Sequence, residues 1–286
     1  MLLQFKQSFE HPFEVGVSYK PTKIAAALLV AAMLPFGQTQ AEGVSPIPVV
    51  ADEFRFSLTP YLWMAGITGS VDYNNAQRAH THISSDKVLS NLSIGGMLDG
   101  EVHYGRWGLM GNTVFAKLSN NSSKSTNLQH GLSATVDSTT DAWLGVYTVA
   151  GTYTVYAGQS LYVDGLAGVR FLNLNSKIQL DASIANTPYT GHKTLYSSVH
   201  TSDAIAGFKG RVRLGETSFF VPFYLDAGGG SAIAKFTSQQ ALGIGYALKA
   251  VDLALYYNNL YYSLSNDKVS SYINMSGPAL AATFKF

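Results

Sequence analysis

Cysteine is absent from the 286 residues, which excludes disulfides, thiolate-bound metal and a nucleophilic thiol. Charge is scarce as well. Asp, Glu, Lys and Arg make up 13% of the chain, against roughly 25% in ordinary soluble domains. The net charge of +1 gives no electrostatic case for nucleic acid as a partner. Beyond the N-terminus no apolar run approaches the ~20 residues of a spanning helix. No Gly-rich phosphate loop, serine elbow or dinucleotide fingerprint is present, so no cofactor is expected. What the chain does have is 17 Tyr, 15 Phe and 27 Gly, a composition that suits closely packed strands with aromatic belts.

The N-terminal residues read as a targeting segment. Lys20 and Lys23 precede the apolar stretch Ile24 to Leu34, followed by Pro35, Gly37 and Thr39-Gln40-Ala41. A basic flank, a short apolar run and a small residue at its end make a secretory signal, with cleavage expected after Ala41. Residues 1–41 are therefore a leader with an N-terminal extension, and residues 42–52, with Pro46 and Pro48, an extended periplasmic linker.

From residue 53 onward the apolar period is two. Phe54, Phe56, Leu58, Leu62 and Met64 alternate with Arg55, Ser57, Thr59, Tyr61 and Trp63. Ile94, Leu98, Val102 and Tyr104 oppose Asp99, Glu101 and His103. Leu161, Val163, Ala167, Val169 and Phe171 oppose Asp164 and Arg170. Ala204, Ala206, Phe208, Val212 and Leu214 oppose Asp203, Lys209, Arg211 and Arg213. Phe219, Val221, Phe223 and Leu225 oppose Tyr224 and Asp226, and Val251, Leu253, Leu255 and Tyr257 oppose Asp252 and Tyr256. The final stretch, Gly277 to Phe286, sets Leu280, Ala282, Phe284 and Phe286 against Ala281, Thr283 and Lys285. Short Gly-containing turns alternate with polar stretches at about Gly66 to Leu92, Ser119 to Asp137, Asn175 to Thr201 and Ser265 to Asn274, which read as long loops sharing one end. The expectation is an all-β fold: a transmembrane, antiparallel up-and-down barrel of about ten strands over residues 53–286, with eight or twelve possible.

A soluble sheet would carry many Lys and Glu on its water face. Here the polar faces are mostly Ser, Thr, Gly, Asn and Tyr, and their few ions balance in sign. The expected lumen network is Arg55, Arg170, Lys209, Arg211, Arg213 and Lys285 with Asp99, Glu101, Asp164, Asp203, Asp226 and Asp252, and His103 beside them. A barrel this small is expected to be filled by such pairs, since a wide porin needs roughly 16 strands.

Other constellations have a sharp and a plain reading. His80 and His82 would face one side of a strand and could bridge a metal, but the segment reads as a loop with no third ligand nearby, so solvated histidines are expected and no metal. Asp99, Glu101 and His103 could serve as base and orienter of a barrel hydrolase acting on lipid or peptide, or could simply pair with Lys209, Arg211 or Arg213. The Lys209, Arg211 and Arg213 ladder could hold an anionic solute or headgroup, or those same acids. Tyr256, Tyr257, Tyr261 and Tyr262 read as an aromatic girdle. Ser85 to Leu92 reads as one or two helical turns with a serine cap.

Several segments together resemble a family. Thr59-Pro60-Tyr61-Leu62-Trp63 with Gly66-Ile67-Thr68-Gly69, then Gly105 to Gly108, Asp203 to Arg211, Asp226 to Gly230 and Gly277 to Leu280 are similar, in that order, to segments of a widespread group of proteobacterial outer-membrane β-barrel proteins. The resemblance covers about residues 53 to 286 and implies a fold and a place, the cell outer membrane of a Gram-negative bacterium, without a substrate. The chain departs from the group in its polar second stretch and its N-terminal extension. Phe284 and the terminal Phe286 resemble the signal by which the barrel assembly machinery recognises such strands. Outer-membrane lipid and lipopolysaccharide are then the expected surroundings. The expected role is structural, surface-interacting or narrow-pore and non-enzymatic; a barrel hydrolase and an adhesin working through its loops are the alternatives.

Overall fold

The computed structural model describes residues 44–73, 77–127, 133–185, 187–188, 190–230, 233–265 and 269–286. The expected leader, residues 1–41, lies outside the described residues. The elements are β1 (Phe54–Trp63), β2 (Gly66–Tyr73), β3 (Gln77–Ile83), α1 (Ser85–Ser90), β4 (Leu92–Tyr104), β5 (Trp107–Asn127) and β6 (Ser133–Ala157). They continue as β7 (Leu161–Ile184), β8 (Thr190–Arg213), β9 (Phe219–Gly229), β10 (Ala234–Ala247), β11 (Val251–Ser265) and β12 (Val269–Lys285).

Ten strands, β1 and β4 to β12, pair antiparallel in chain order and close when β12 meets β1. The seam is set by Ser57 opposite Lys285, Leu58 opposite Phe284 and Leu62 opposite Leu280. At its lower end the Phe286 N–H donates to the Phe56 carbonyl (3.0 Å) and the Phe56 N–H to the Phe286 carbonyl (3.2 Å). The expected ten-stranded barrel is the fold observed, with β2 and β3 as two additional strands.

Those two strands correct the sequence reading. The polar stretch after Gly66 is a hairpin, β2 and β3, continuing the β1 side of the sheet up along the far half of β12. The chain kinks between β1 and β2, where the Met64 N–H donates to the Pro278 carbonyl (2.9 Å). Gly277 makes room for this kink, because a Cβ there would strike the Met64 carbonyl oxygen. The hairpin is followed by α1, the expected short helix, whose flanking Ser84 makes no side-chain cap bond. The Ser84 hydroxyl, together with backbone N–H groups at the helix start, holds the Asp86 carboxyl below its ordinary range.

The stretches read as loops after Ser119 and Asn175 are also strand. β5 and β6 stay in register out to Asn127 and Ser133, and β7 and β8 out to Ser183 and Thr190. Their Ser, Thr and Asn residues gave no hydrophobic alternation because both faces there are polar. Backbone pairing continues without it. β6, β7 and β8 have 25, 24 and 24 residues, and β9 only 11. Crossing hydrocarbon takes about 9–11 residues. The excess stands as a wall on one side of the rim at the long-loop end.

The outer face of the ring is apolar. Leu58, Leu98, Leu109, Val149, Val169, Phe208, Leu225, Leu242, Ile244, Leu255 and Leu280 are exposed. Rings border this band at the short-turn end, where Phe54 lies 5.0 Å from Tyr104, Trp107 4.8 Å from Tyr153 and Phe219 4.8 Å from Tyr246. At the other edge Tyr261 stacks on Tyr272 (6.1 Å) and meets Phe236 at a tilt (6.3 Å). Lys117, on the same face, lies 5.4 Å from the ring of exposed Trp143. A closed ring with greasy walls outside and ions inside satisfies every backbone group without water, as a bilayer demands.

Placing Arg at Leu242, on the lipid face, is therefore expected to cost up to about 2–4 kcal/mol. The same change at Ser123, on the wall above the bilayer, should stay within about 0.5 kcal/mol. Urea unfolding of the two variants from lipid vesicles measures the difference; equal costs would mean that Leu242 does not face hydrocarbon.

Candidate functional site

Alternation sends every second side chain inward, and these fill the barrel in layers. The layer nearest the long-loop end is apolar: Trp63, Val114, Val146, Leu172, Leu260, Tyr262 and Met275 pack together and are buried. The sequence placed Tyr256 and Tyr262 in the outer girdle with Tyr257 and Tyr261. The structure divides them by parity, because consecutive strand residues face opposite sides. Tyr257 and Tyr261 face out, while Tyr262 is fully buried and Tyr256 lies 6.5 Å from Tyr61 inside.

Beneath the apolar layer sits Arg170, fully buried on β7. Its five N–H groups find five acceptors. Nη1 donates to Asp226 Oδ1 (3.0 Å) and Thr237 Oγ1 (3.4 Å), Nη2 to Asp226 Oδ2 and Gln239 Oε1 (2.9 Å), and Nε to Thr148 Oγ1 (3.3 Å). Asp226 also accepts from the Tyr224 hydroxyl (2.5 Å) and the Gln239 N–H (3.1 Å). Asp203 faces Arg170 across the β7–β8 ladder and accepts from Thr201 (2.7 Å).

Below this plate is a cavity of about 490 Å³. On one wall Lys209 pairs with Glu101, which also meets His103 Nε2 at 3.2 Å, with Asp164 4.0 Å from the same nitrogen. Asp99 accepts from Asn112 (3.3 Å), and Asn112 from the Tyr61 hydroxyl (3.1 Å). Arg55 lies beside the Tyr162 hydroxyl, which also contacts Thr154. At the short-turn end Asp252 accepts from Arg211 (2.8 Å) and Lys285 (2.6 Å).

The ions expected in one network thus form three clusters at different heights. Arg213 belongs to none of them: at the end of β8 it reaches the Glu216 (2.7 Å) and Thr217 (2.8 Å) carbonyls and holds the β8–β9 turn. Phe284 and Phe286 stand exposed on the outer face, 42% and 77% accessible. His80 and His82 lie on β3 and not on a loop; both are exposed, with His82 Nδ1 3.0 Å from Thr68 Oγ1. Among the described residues no three His, Asp or Glu side chains converge as metal ligands. Of the three residues of the hydrolase reading, Glu101 and His103 are in contact, Asp99 is bonded to Asn112, and among the described residues no hydrogen bond joins His103 to a hydroxyl.

Sequence reasoning missed the floor of the cavity. Residues of the expected linker fold into the barrel mouth: Pro46 and Ile47 are buried, and the Pro46 carbonyl accepts from Arg211 (3.0 Å). Their only signal was an apolar Pro-Ile-Pro triplet, which reads equally well as a spacer.

Arg170→Ala should leave Asp226 buried without its counterion and cost about 3–5 kcal/mol. Replacing both with apolar residues of similar volume should recover most of that loss. The temperature at which the folded, fast-migrating gel form converts to the unfolded form reads both outcomes.

No family model matches the chain, and no curated protein matches it. Among solved structures it is similar to the outer membrane protease OmpT from Escherichia coli, at TM-score 0.48 and 7% identity over 85% of this chain and 100% of that one. It is similar also to Ail, the attachment invasion locus protein of Yersinia pestis, at TM-score 0.29 and 12% identity over 82% and 100%. A third is the P. putida toluene transporter TodX, at TM-score 0.29 and 9% identity over 82% and 91%. All three are outer-membrane β-barrel proteins.

Proposed function

We propose that the chain is a non-enzymatic surface-interaction protein of the Gram-negative outer membrane, in which a sealed barrel anchors a raised wall of strands. The observation that carries this reading is the pairing of a blocked lumen with a tall exterior. Across the barrel, the apolar layer of Trp63, Leu172, Tyr262 and Met275 leaves these side chains at 4% exposure or less. A conducting path would have to pass through that layer and then through the Arg170 plate. Above it, the β5–β6 and β7–β8 hairpins present Ser, Thr, Asn and scattered charge on both faces. Short turns at the opposite end fit a periplasmic side, and the wall then stands outside the cell. Lipopolysaccharide would surround its base, and the β12 end with Phe284 and Phe286 would serve the assembly machinery.

Planar bilayers holding the refolded protein are expected to show no single-channel steps. Replacing Asn121 to Thr139 and Gln179 to Thr194 by tight turns cuts both hairpins at paired residues. Cells expressing the trimmed chain should lose attachment to protein- or glycan-coated surfaces, while the barrel keeps its heat-modifiable migration. Regular conductance steps, or attachment unaffected by trimming, would overturn the reading.

A further inference from the structure

The foot of the raised wall carries a cluster on its outer face that neither the sealed lumen nor the hairpin tips account for. Lys117, Trp143, Asn175 and Ser198 stand opposite one another across β5, β6, β7 and β8. Asp141, Lys177 and Tyr196 form the next same-face row away from the short-turn end. Directly paired residues share a face of the sheet. Lower on β6 this face carries exposed Tyr147 and Val149, so it is the face that meets lipid. β5 runs from Trp107, in the girdle at the short-turn end, to Lys117, and β6 from Tyr153 of that girdle back to Trp143. Each span matches the about 9–11 residues that cross hydrocarbon. Lys117 and Trp143 therefore stand where hydrocarbon ends and headgroups begin.

The two rows line a groove of about 470 Å³. Its cations are unpaired: among the described residues no carboxylate lies within ion-pair distance of Lys117 or Lys177. Asp141, opposite Lys177, instead accepts from the Ser119 hydroxyl. Lys117 lies over the Trp143 ring at 5.4 Å, and Tyr196, 75% exposed, stands opposite Lys177. A lysine ammonium is a point charge suited to phosphate, and Trp and Tyr rings belong at the level of headgroups. Lys177 is two strands over from Lys117 and one same-face position farther along. With strands ~4.8 Å apart and ~3.4 Å per residue, their backbones lie ~12 Å apart. One phosphate could meet both ammonium groups only with the two stems fully extended toward each other across Trp143. Two phosphates at opposite ends of a disaccharide meet one each.

We propose that this groove binds a glycolipid headgroup with two phosphates on a disaccharide, the chemistry of the lipopolysaccharide anchor. One phosphate sits at Lys117, the other at Lys177, and the sugars lie between Trp143 and Tyr196. Such binding requires the orientation proposed above, with the wall outside the cell, and is independent of what the wall attaches to.

The test uses the full barrel folded in detergent. Native mass spectrometry counts bound lipid as bisphosphorylated lipid A, its monophosphorylated form or phosphatidylglycerol is titrated in. Bisphosphorylated lipid A should bind more tightly than either of the others. Lys117→Gln and Lys177→Gln should each weaken it roughly fivefold, the contribution of one basic residue at an anionic membrane surface, and the two together roughly 25-fold. Lys249→Gln, at an exposed lysine between β10 and β11 at the short-turn end, should change nothing. Because cysteine is absent, Ser123→Cys reports orientation by itself, and a membrane-impermeant maleimide should label it on intact cells. Labelling without selective binding of the bisphosphorylated lipid, or binding that survives both lysine changes, would overturn the headgroup site alone. No labelling would overturn the site and the orientation together.

Discussion

The pairing of β12 with β1 is the constraint from which the rest follows. In hydrocarbon an unpaired N–H or C=O costs several kcal/mol, so a sheet can enter a bilayer only when its two edges meet. Once the ring is closed at ten strands, its circumference fixes how much side-chain volume the interior must take. Ten strands make too small a ring for a wide channel and leave room for three layers of side chains. The apolar layer, the Arg170 plate and the cavity below it are how this sequence fills that space.

Polar burial on this scale is tolerated because it is nearly saturated. The guanidinium of Arg170 uses all of its donors, and Asp226 accepts from three residues. An ion pair sealed from water gains little net stability over a well-packed apolar pair, but it is strongly directional. Arg170 bridges β7 to β9 and β10, and Asp252 bridges β11 to β8 and β12. The Arg170 ties and the Asp252–Arg211 pair cross the lumen between strands that are not neighbours in the sheet, while Asp252–Lys285 joins the adjacent β11 and β12. Their plain effect is to fix the cross-section of the ring, which backbone pairing alone leaves free to flatten.

Legibility in the sequence followed the solvent. Where one face meets lipid and the other the lumen, alternation is sharp: Phe56, Leu58 and Leu280 are exposed, and Asp164, Arg170 and Asp226 are buried. Where both faces meet water, as from Asn120 to Asn127 and from Lys177 to Ile184, the period vanished and strand looked like loop. Tyr was ambiguous for a related reason: its ring suits the membrane edge and its hydroxyl suits a polar interior, so Tyr256 and Tyr262 could be placed only by parity. Arg213 shared a face with Lys209 and Arg211 but stands one residue from the turn, where carbonyls are nearer than carboxylates. The Pro46 contact joins residues 165 apart in the chain, and local patterns carry no such information.

The unequal heights of the strands give the molecule a front and a back. β5 to β8 rise far above the rim, while β9 ends after 11 residues. A cylinder of even height would meet its neighbours in the bilayer identically from every bearing. This one presents a cliff over part of its perimeter and a low sill over the rest. Crowding by bulky headgroups should hinder approach on the first side far more than on the second, so lateral encounters acquire a compass direction without any dedicated contact surface.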